Sequence, residues 1–296
     1  MIKKFSILSL LALSILCFCF IICVQPTFAQ KTTGLSAMTM ASFSNNNNFS
    51  SSSNLNTQSI ENKSVNYFGN TTGYLVYPSS SLSPSTQNNQ SEKLPAVVMI
   101  HENKGLNNYI KDSANILAKH GYVVLAVDLF NGEVTSDQNR SRILTTMIRE
   151  NPVFAIENMK SAVSYLGSLE NVNSSRIASL GWCFGGGQSL QLALNSKDHP
   201  LSATVIYYGV PLTNNTNALA NIKWPVLGIF GSKDMAIPID TVKQFQKSLN
   251  QTGITNEIYI YPGVGHAFAN PSNPNYAAKE TSDAWKKTLA FLDKYT

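Results

Sequence analysis

Apolar and polar stretches alternate along the chain of 296 residues, and the first apolar stretch lies almost at its start. It runs from Phe5 to Val24, follows a basic beginning, and is followed by Thr27-Phe-Ala29, which has small residues at the positions that a signal peptidase reads. This pattern is typical of a secretory signal peptide cleaved after Ala29. Because about 20 apolar residues also suffice to cross a bilayer, an uncleaved membrane anchor through residues 5–24 is the alternative. Either interpretation of residues 1–29 predicts that the rest of the chain is extracytoplasmic, secreted or anchored to the outer face of the cell membrane.

Residues 30–63 are dominated by Ser, Asn and Thr and contain few apolar residues. Such a segment buries too little apolar surface to fold, so we expect a disordered linker. The remaining residues, 64–296, number about 230, which suits one domain of the larger α/β kind.

Eight short apolar runs in this domain predict β-strands, and several are continuously apolar, as in strands buried on both faces. They lie at residues 65–68, 73–77, 96–100, 122–127, 177–182, 204–208, 226–230 and 257–261. Helices are predicted at residues 109–120, 140–150, 153–169, 186–195, 239–249 and 276–294, with a break at Pro152 between the second and third. Strands that alternate with helices predict an α/β fold with a mostly parallel sheet and helices on both faces.

The charged residues and the cysteines exclude some classes of function. The formal net charge of +5 includes Lys3 and Lys4, and no cluster of Lys and Arg interleaved with aromatic residues is present. We therefore expect no nucleic-acid partner. Three of the four cysteines lie in the first apolar run, so Cys183 is the single thiol of the predicted domain. No internal disulfide can form there, and a lone thiol in an exported domain is open to oxidation, which favours a functional role.

Cys183 lies at the centre of Gly181-Trp-Cys-Phe-Gly185, which follows an apolar strand and precedes a helix. A turn of the type Gly-x-nucleophile-x-Gly holds its central residue in strained backbone geometry at the end of a strand. The two glycines are needed because a Cβ there would collide with the neighbouring strand or helix. The helix N-terminus behind the turn favours an anion and can therefore activate the thiol as a thiolate. The alternative, a cysteine that is only a small buried hydrophobe, fits this position poorly.

Two more reactive side chains follow the carboxyl ends of later strands, where the reacting groups of parallel sheets gather. Asp234 ends the segment Gly231-Ser-Lys-Asp234, and His266 ends the segment Pro262-Gly-Val-Gly-His266. The order nucleophile, acid, histidine is that of the α/β-hydrolase group, in which the histidine relays a proton and the acid orients the imidazole. Asp234 could instead be an ordinary turn aspartate. His101, which also ends a strand, is the rival of His266 but precedes the acid.

Four motifs in order along the chain resemble the dienelactone hydrolase family, the carboxymethylenebutenolidases and their relatives. They are Ile100-His-Glu-Asn-Lys-Gly-Leu106, Gly181-Trp-Cys-Phe-Gly-Gly-Gly187, Gly231-Ser-Lys-Asp234 and Gly265-His-Ala-Phe268, and the match extends from about Val65 to the last residue. The resemblance implies the α/β-hydrolase fold and a catalytic triad of Cys183, His266 and Asp234. It also implies hydrolysis of an ester or lactone through an acyl-cysteine intermediate, without a metal or other cofactor.

The same resemblance implies roles for three further residues. In this family a glutamate, which matches Glu102, holds the resting thiol until the substrate displaces that contact. A carboxylate beside the thiol would disfavour the thiolate and limit its oxidation between reactions. The alternative for Glu102 is a solvated loop acid. The backbone N–H groups of Asn103 and Phe184 are expected to form the oxyanion hole.

Two positions depart from the family and bear on the substrate. The best-known members bind the carboxylate of dienelactone with two arginines, whose places hold Asn131 and Asn270 here. An amide cannot replace a bidentate guanidinium, so we expect the small-molecule partner to be a neutral or differently shaped ester or lactone. Trp182, Tyr207 and Tyr208 are candidates for the lining of the acyl pocket, although aromatic residues that end buried strands more often belong to the core.

Two alternatives to ester hydrolysis remain open. The same three residues could cleave a thioester or transfer an acyl group, which the sequence does not separate from hydrolysis. The alternative from another class is a non-catalytic, extracytoplasmic ligand-binding protein with the hydrolase fold. A protein that only binds has no need of His266.

Overall fold

The computed structural model describes residues 58–79 and 93–296. The strands in this part of the chain are β1 (Ile60–Phe68), β2 (Thr71–Pro78), β3 (Leu94–Ile100), β4 (Val123–Val127), β5 (Val172–Trp182), β6 (Ala203–Tyr207), β7 (Val226–Gly231) and β8 (Asn256–Tyr261). The helices are α1 (Asn108–Lys119), α2 (Gln138–Glu150), α3 (Pro152–Gly167), α4 (Phe184–Asn195), α5 (Thr216–Leu219), α6 (Ile239–Gln251) and α7 (Ala278–Tyr295).

All eight strands form one sheet in the order β1-β2-β4-β3-β5-β6-β7-β8. β2 is antiparallel to β1 and to β4, whereas every other pair of neighbours is parallel. Every residue of β4, β6 and β7 is buried, so both faces of the sheet are covered. The predicted α/β fold with a mostly parallel sheet is confirmed.

The parallel strands bring their carboxyl ends to one edge of the sheet, and the predicted site residues lie there. Glu102 follows β3, Cys183 follows β5, Asp234 follows β7 and His266 follows β8. Residues that are far apart in the sequence are therefore neighbours at this edge.

The helices α2 and α3 meet where the sequence predicts a break. The side chain of Asp137 accepts a hydrogen bond from the Arg140 N–H (2.7 Å) and so caps the start of α2. α2 ends at Glu150, and Pro152 occupies the first turn of α3, where its missing N–H costs no helical hydrogen bond. The break predicted at Pro152 is confirmed.

Some element boundaries differ from the prediction. β1 begins at Ile60, so residues 60–63 belong to a strand and not to the predicted linker. Their side chains are exposed or half-buried, and backbone pairing with β2 holds them, which a pattern of apolar residues cannot reveal. α4 begins at Phe184, two residues earlier than predicted, and the short helix α5 was not predicted.

The predicted signal peptide or anchor at residues 1–29 lies outside the described residues, as does most of the predicted linker. Within the described ranges, no helix combines the length and the apolar character needed to cross a bilayer.

Candidate active site

The turn around Cys183 has the strained geometry that its sequence predicts. Cys183 is half-buried, has φ +53°, a value that residues other than glycine rarely adopt, and is the N-cap of α4. A Cβ on Gly181 would lie 2.2 Å from the carbonyl oxygen of Gly185, and a Cβ on Gly185 would lie 2.3 Å from that of Ile100. The crossing backbone segments leave room only for glycine, and they fix the position of the sulfur-bearing residue between them.

Cys183, His266 and Asp234 are joined by two hydrogen bonds. Nε2 of His266 is 3.1 Å from Sγ of Cys183, and Nδ1 is 2.7 Å from Oδ2 of Asp234. Since a carboxylate oxygen only accepts, Nδ1 carries a proton and Nε2 faces the sulfur. The loops after β5, β8 and β7 contribute the three residues, and this geometry is one in which a thiol can act as nucleophile, an imidazole as proton relay and a carboxylate as orienting acid.

The carboxylate of Asp234 is buried and is oriented by its own loop. Its Oδ1 accepts hydrogen bonds from the N–H groups of Ala236 (2.8 Å) and Ile237 (3.1 Å), which leaves Oδ2 for His266. Asp234 is therefore a turn aspartate and the partner of the imidazole at the same time. A carboxylate held in this way can keep the imidazole in one tautomer.

The charges of the site stabilise a positive His266. Burial by itself lowers its pKa, but the hydrogen bonds to Asp234 and Cys183, together with the negative charges of these partners, raise the pKa to about 10. The imidazole is therefore favoured in its positive form at neutral pH. This positive charge lies 3.1 Å from Sγ of Cys183.

Glu102 is near these residues but does not bind the sulfur. Its buried carboxylate lies with Oε2 2.5 Å from Nδ2 of Asn270 and with Oε1 3.5 Å from the hydroxyl of Tyr208. Burial raises the pKa of Glu102, while the hydrogen bond from Asn270 and the charge of His266 oppose that shift. Among the described residues, Sγ of Cys183 is hydrogen-bonded to His266 and to no atom of Glu102. The structure thus differs from the resting contact that the family resemblance implies, and it also differs from a solvated loop acid.

A cavity of about 350 Å³ opens beside residues 181–185, the predicted nucleophile turn. Its lining includes Cys183, Phe184 and Asn103, so the two residues whose N–H groups are predicted to form an oxyanion hole border the same space as the sulfur-bearing residue. Within the described part of the chain, neither N–H donates to another residue. Both are therefore available to a bound oxygen atom, and their role as an oxyanion hole stays a prediction.

Another part of the cavity lining comes from α2 and carries residues that could not be found from the sequence. Arg142 and Arg149 of α2 and Lys104 after β3 line the cavity. The guanidinium of Arg149 lies 5.9 Å from the centre of the Phe184 ring, directly beside the nucleophile turn. The two arginines are seven residues apart and therefore lie on one face of the helix, but that spacing does not indicate that α2 covers the site.

Trp182 and Tyr207 belong to the core. Both are completely buried, their ring centres are 5.5 Å apart, and both rings also lie near Trp285 of α7. The hydroxyl of Tyr207 is 2.7 Å from Oγ1 of Thr288, also in α7. The prediction that these two aromatic residues line an acyl pocket is wrong, because both side chains face α7 and not the cavity.

The other three predicted lining residues lie in three different environments. Tyr208 lies at the site, with its ring centre 5.2 Å from that of His266 in an edge-on arrangement. Asn131 is exposed in a turn with φ +52° and is not among the described residues that line the cavity. Asn270 is buried and binds Glu102. Neither amide therefore occupies the substrate-lining place expected for it.

Both ring nitrogens of His101, the alternative to His266 in the sequence, form hydrogen bonds with backbone groups. Its Nδ1 donates to the carbonyl oxygen of Glu102 (2.6 Å), and its Nε2 accepts from the N–H of Leu129 (3.1 Å). Burial lowers its pKa, so His101 is a neutral histidine that ties the ends of β3 and β4 together.

In residues 58–79 and 93–296, no three His, Cys, Asp or Glu side chains are grouped as metal ligands would be.

Several known proteins are similar to this chain in sequence. The pattern that defines the dienelactone hydrolase family matches residues 84–296. A protein of Methylorubrum extorquens named as a carboxymethylenebutenolidase is 28% identical over 213 residues, which cover 68% of this chain and 72% of that protein. A protein of a Bradyrhizobium species named as a 2-oxo-3-(5-oxofuran-2-ylidene)propanoate lactonase is 30% identical over 210 residues, which cover 68% of this chain and 84% of that protein.

A similar fold occurs in the crystal structure of a dienelactone hydrolase-like promiscuous phosphotriesterase from metagenomic libraries. The TM-score is 0.70 at 21% sequence identity, and the alignment covers 80% of this chain and 98% of that chain. At this identity the likeness supports the α/β-hydrolase fold alone. The family pattern, by contrast, spans well over half of the sequence and includes the segments around Cys183, Asp234 and His266. The chain therefore belongs to the dienelactone hydrolase family of carboxylic ester hydrolases.

Proposed function

We propose that this chain hydrolyses an ester or lactone outside the cytoplasm, with Cys183 as nucleophile and an acyl-cysteine intermediate. One observation carries the proposal: Cys183 Sγ, the imidazole of His266 and the carboxylate of Asp234 form a continuous hydrogen-bonded chain, with contacts of 3.1 and 2.7 Å. The names of the relatives, a carboxymethylenebutenolidase and a lactonase, support an ester or lactone as the class of substrate.

In the first half of the proposed reaction, the sulfur attacks the carbonyl carbon and an S–C bond forms. The carbonyl oxygen becomes negative, and the N–H groups of Asn103 and Phe184 stabilise it, each such donor being worth about 3 kcal/mol. The bond to the leaving oxygen then breaks, and that oxygen takes the proton from Nε2 of His266. Asp234 holds Nδ1 throughout and keeps the ring in the orientation that this transfer requires.

In the second half, water enters and loses a proton to Nε2 of His266 as its oxygen attacks the acyl carbon. The S–C bond breaks, the acid product leaves, and the sulfur returns to its contact with the imidazolium.

The intermediate can be trapped. Full-length protein mixed with 4-nitrophenyl pivalate, a slowly deacylating ester, and quenched in acid should carry one pivaloyl group on the peptide that contains Cys183, as read by peptide mass. A stoichiometric burst of nitrophenol while Cys183 stays unmodified would contradict the proposal. Thioester substrates and added alcohol acceptors in the same assay separate thioesterase and acyltransferase activity from hydrolysis.

The proposed location rests on the sequence of residues 1–29 alone. The mass of the protein recovered from the medium and from the membrane fraction tests it. Loss of 29 residues indicates a cleaved signal peptide, and full length in the membrane fraction indicates an anchor. Full-length protein found in the cytoplasm would contradict export.

The wall of the cavity changes the expectation about substrate charge. Amides stand where the best-known relatives have arginines, which favours a neutral ester, but Arg142, Arg149 and Lys104 supply three cations from other positions. Asp137 is the one acid among the described lining residues, and its Oδ1 is already engaged as the cap of α2. We therefore propose that the substrate carries a negative charge on the part that reaches α2.

Two esters of equal length test this proposal. We expect kcat/KM to be about fivefold higher for mono-4-nitrophenyl glutarate than for 4-nitrophenyl pentanoate, because an exposed ion pair contributes up to about 1 kcal/mol. Arg149→Gln should remove most of this preference. Arg140→Gln is the matched control, since Arg140 lies on the same helix but pairs with Glu133, and it should leave the preference unchanged. Equal kcat/KM for the two esters in the unmodified protein would contradict the proposal.

A further inference from the structure

The environment of Glu102 is determined by Asn270, four residues after His266. Nδ2 of Asn270 donates to Oε2 of Glu102 at 2.5 Å, and both side chains are almost completely buried. A buried carboxylate that accepts a hydrogen bond from a buried amide is held firmly, because breaking the contact leaves both groups unpaired.

The amide of Asn270 has only one orientation that satisfies its neighbours. Its Oδ1 accepts hydrogen bonds from the N–H of Ser272 (2.9 Å) and from the hydroxyl of Ser272 (2.8 Å). The oxygen is therefore committed to the loop, and the NH₂ group must face Glu102. The hydroxyl of Tyr208, 3.5 Å from Oε1, lies on the other side of the same carboxylate.

Glu102 is nevertheless close to the nucleophile turn. A Cβ on Gly185 would lie 2.4 Å from the carbonyl oxygen of His101, so the backbone just before Glu102 presses against the turn that holds Cys183. Tyr208 touches the carboxylate and also packs against the ring of His266. The sulfur itself lies against Nε2 of His266. The carboxylate thus shares the neighbours Tyr208 and His266 with the sulfur, but it is hydrogen-bonded to Asn270.

We infer that Asn270 is a positioning residue: it holds the Glu102 carboxylate away from Cys183, so that the sulfur rests on His266 as a thiolate–imidazolium pair before any substrate arrives. The inference rests on the proposed function of Cys183 as the nucleophile. Loss of the amide would free the carboxylate to turn towards the sulfur, where its charge or its hydrogen bond would stabilise the neutral thiol. The segment after β8, which carries both His266 and Asn270, would then also determine whether Cys183 rests as a thiolate or as a thiol.

Charged and titratable groups from several elements face this pair or its immediate neighbours. They are Glu102 and Lys104 after β3, Tyr109 of α1, Asp137 before α2, Arg142 and Arg149 of α2, Tyr208 after β6 and Asp234 after β7. Replacing Asn270 removes a hydrogen bond from Glu102 and from none of the other groups, so a change in the titration of the pair reports the position of Glu102.

The rate of alkylation of Cys183 by iodoacetamide, measured from pH 5 to pH 10 on the full chain, tests the inference. The sulfur forms its bond to carbon as iodide leaves, and the peptide mass assigns the modified residue. In the unmodified protein we expect rates at pH 6 and pH 8 to agree within about twofold, because a thiolate paired with an imidazolium persists well below the free thiol pKa of about 8.5. The rate should stay flat up to about pH 10, where His266 loses its proton.

Asn270→Ala should lower the rate at pH 6 at least about tenfold relative to pH 8, as expected for a thiol that must first ionise. The double variant Asn270→Ala/Glu102→Gln should restore the flat profile, since an amide brings no negative charge to the sulfur. Asn158→Ala is the matched control, because Asn158 is an equally buried amide that bonds Tyr67 on another part of the sheet. It should leave the profile unchanged.

A wild-type profile in Asn270→Ala would overturn the inference. If Asn270→Ala fails to fold, the Glu102→Gln variant alone tests the inference. Its Gln side chain keeps an oxygen that can accept the hydrogen bond from Asn270. The inference predicts a rate at pH 6 within about twofold of the unmodified protein, whereas a gain of tenfold or more would show that Glu102 held the thiol. The alkylation measurements use no substrate, so they test the inference separately from the proposed function. Retained esterase activity in a Cys183→Ala variant would contradict the proposed function, whatever the alkylation profile shows.

Discussion

Replacing Cys183 by alanine should lower kcat/KM for 4-nitrophenyl esters by about a thousandfold or more. In the proposed mechanism the sulfur forms the covalent bond to the substrate, and removing a nucleophile of this kind leaves only the activity of the oxyanion donors and of binding. His266→Ala should cause a loss of similar size, because the two residues act as a unit. Initial rates at saturating and at low ester concentration measure both effects.

His120→Ala provides the matched control for the histidine variant. His120 is an exposed histidine after α1, where its Nδ1 contacts the carbonyl oxygen of Ile116, and its loss should not change kcat/KM. Full activity in Cys183→Ala would show that the hydrolysis proceeds without the thiol, and the proposal would then be wrong.

Gly185→Ala should destabilise the whole domain, with a loss of about 3 kcal/mol in the free energy of unfolding. The added Cβ would meet the carbonyl oxygens of Ile100 and His101 at 2.3 and 2.4 Å, and both are backbone atoms at the end of a central strand. Backbone at this position cannot move aside without disturbing β3. Urea unfolding followed by circular dichroism measures the change.

Gly167→Ala is the control for this substitution. Gly167 is the last residue of α3, and a Cβ there would meet its nearest neighbour, the Cβ of Ser174, at an ordinary 3.4 Å. We expect its free energy of unfolding to stay within about 1 kcal/mol of the unmodified protein. An equally small effect of Gly185→Ala would show that the turn tolerates a side chain, contrary to the geometry described above.

The strands and the order of the reacting residues could be predicted because both depend on local sequence. Apolar runs mark most of the strands, and Cys183, Asp234 and His266 each follow a predicted strand within a few residues. Residues 60–63 escaped the prediction because an edge strand held by backbone hydrogen bonds needs no apolar pattern. Strand position is thus predictable where burial sets it and not where pairing alone does.

The partners of Glu102 could not be predicted, because they depend on how two distant loops meet. Asn270 is 168 positions away in the sequence, and its contact with Glu102 exists only because the ends of β3 and β8 lead to the same edge of the sheet. The wall formed by Arg142 and Arg149 escaped for the same reason, since helical spacing gives the face of α2 but not what that face covers.

The predictions for Trp182 and Tyr207 failed because the sequence does not say which face of a strand meets the site. These two residues are register partners at the ends of β5 and β6, so they lie on one face of the sheet, towards α7. The residues that follow them, Cys183 and Tyr208, lie beyond the strands with positive φ, and both contact His266.

The contacts that fix the nucleophile turn are made by backbone atoms, whereas Arg142 and Arg149 on α2 have exposed side chains. Substitutions at exposed positions of this kind usually change the stability of a protein by less than about 0.5 kcal/mol. Libraries restricted to these two arginines should therefore shift the choice of ester while the reactive turn stays intact. A site in which the proposed recognition and the proposed reaction depend on different structural elements is a favourable starting point for directed evolution of new hydrolases.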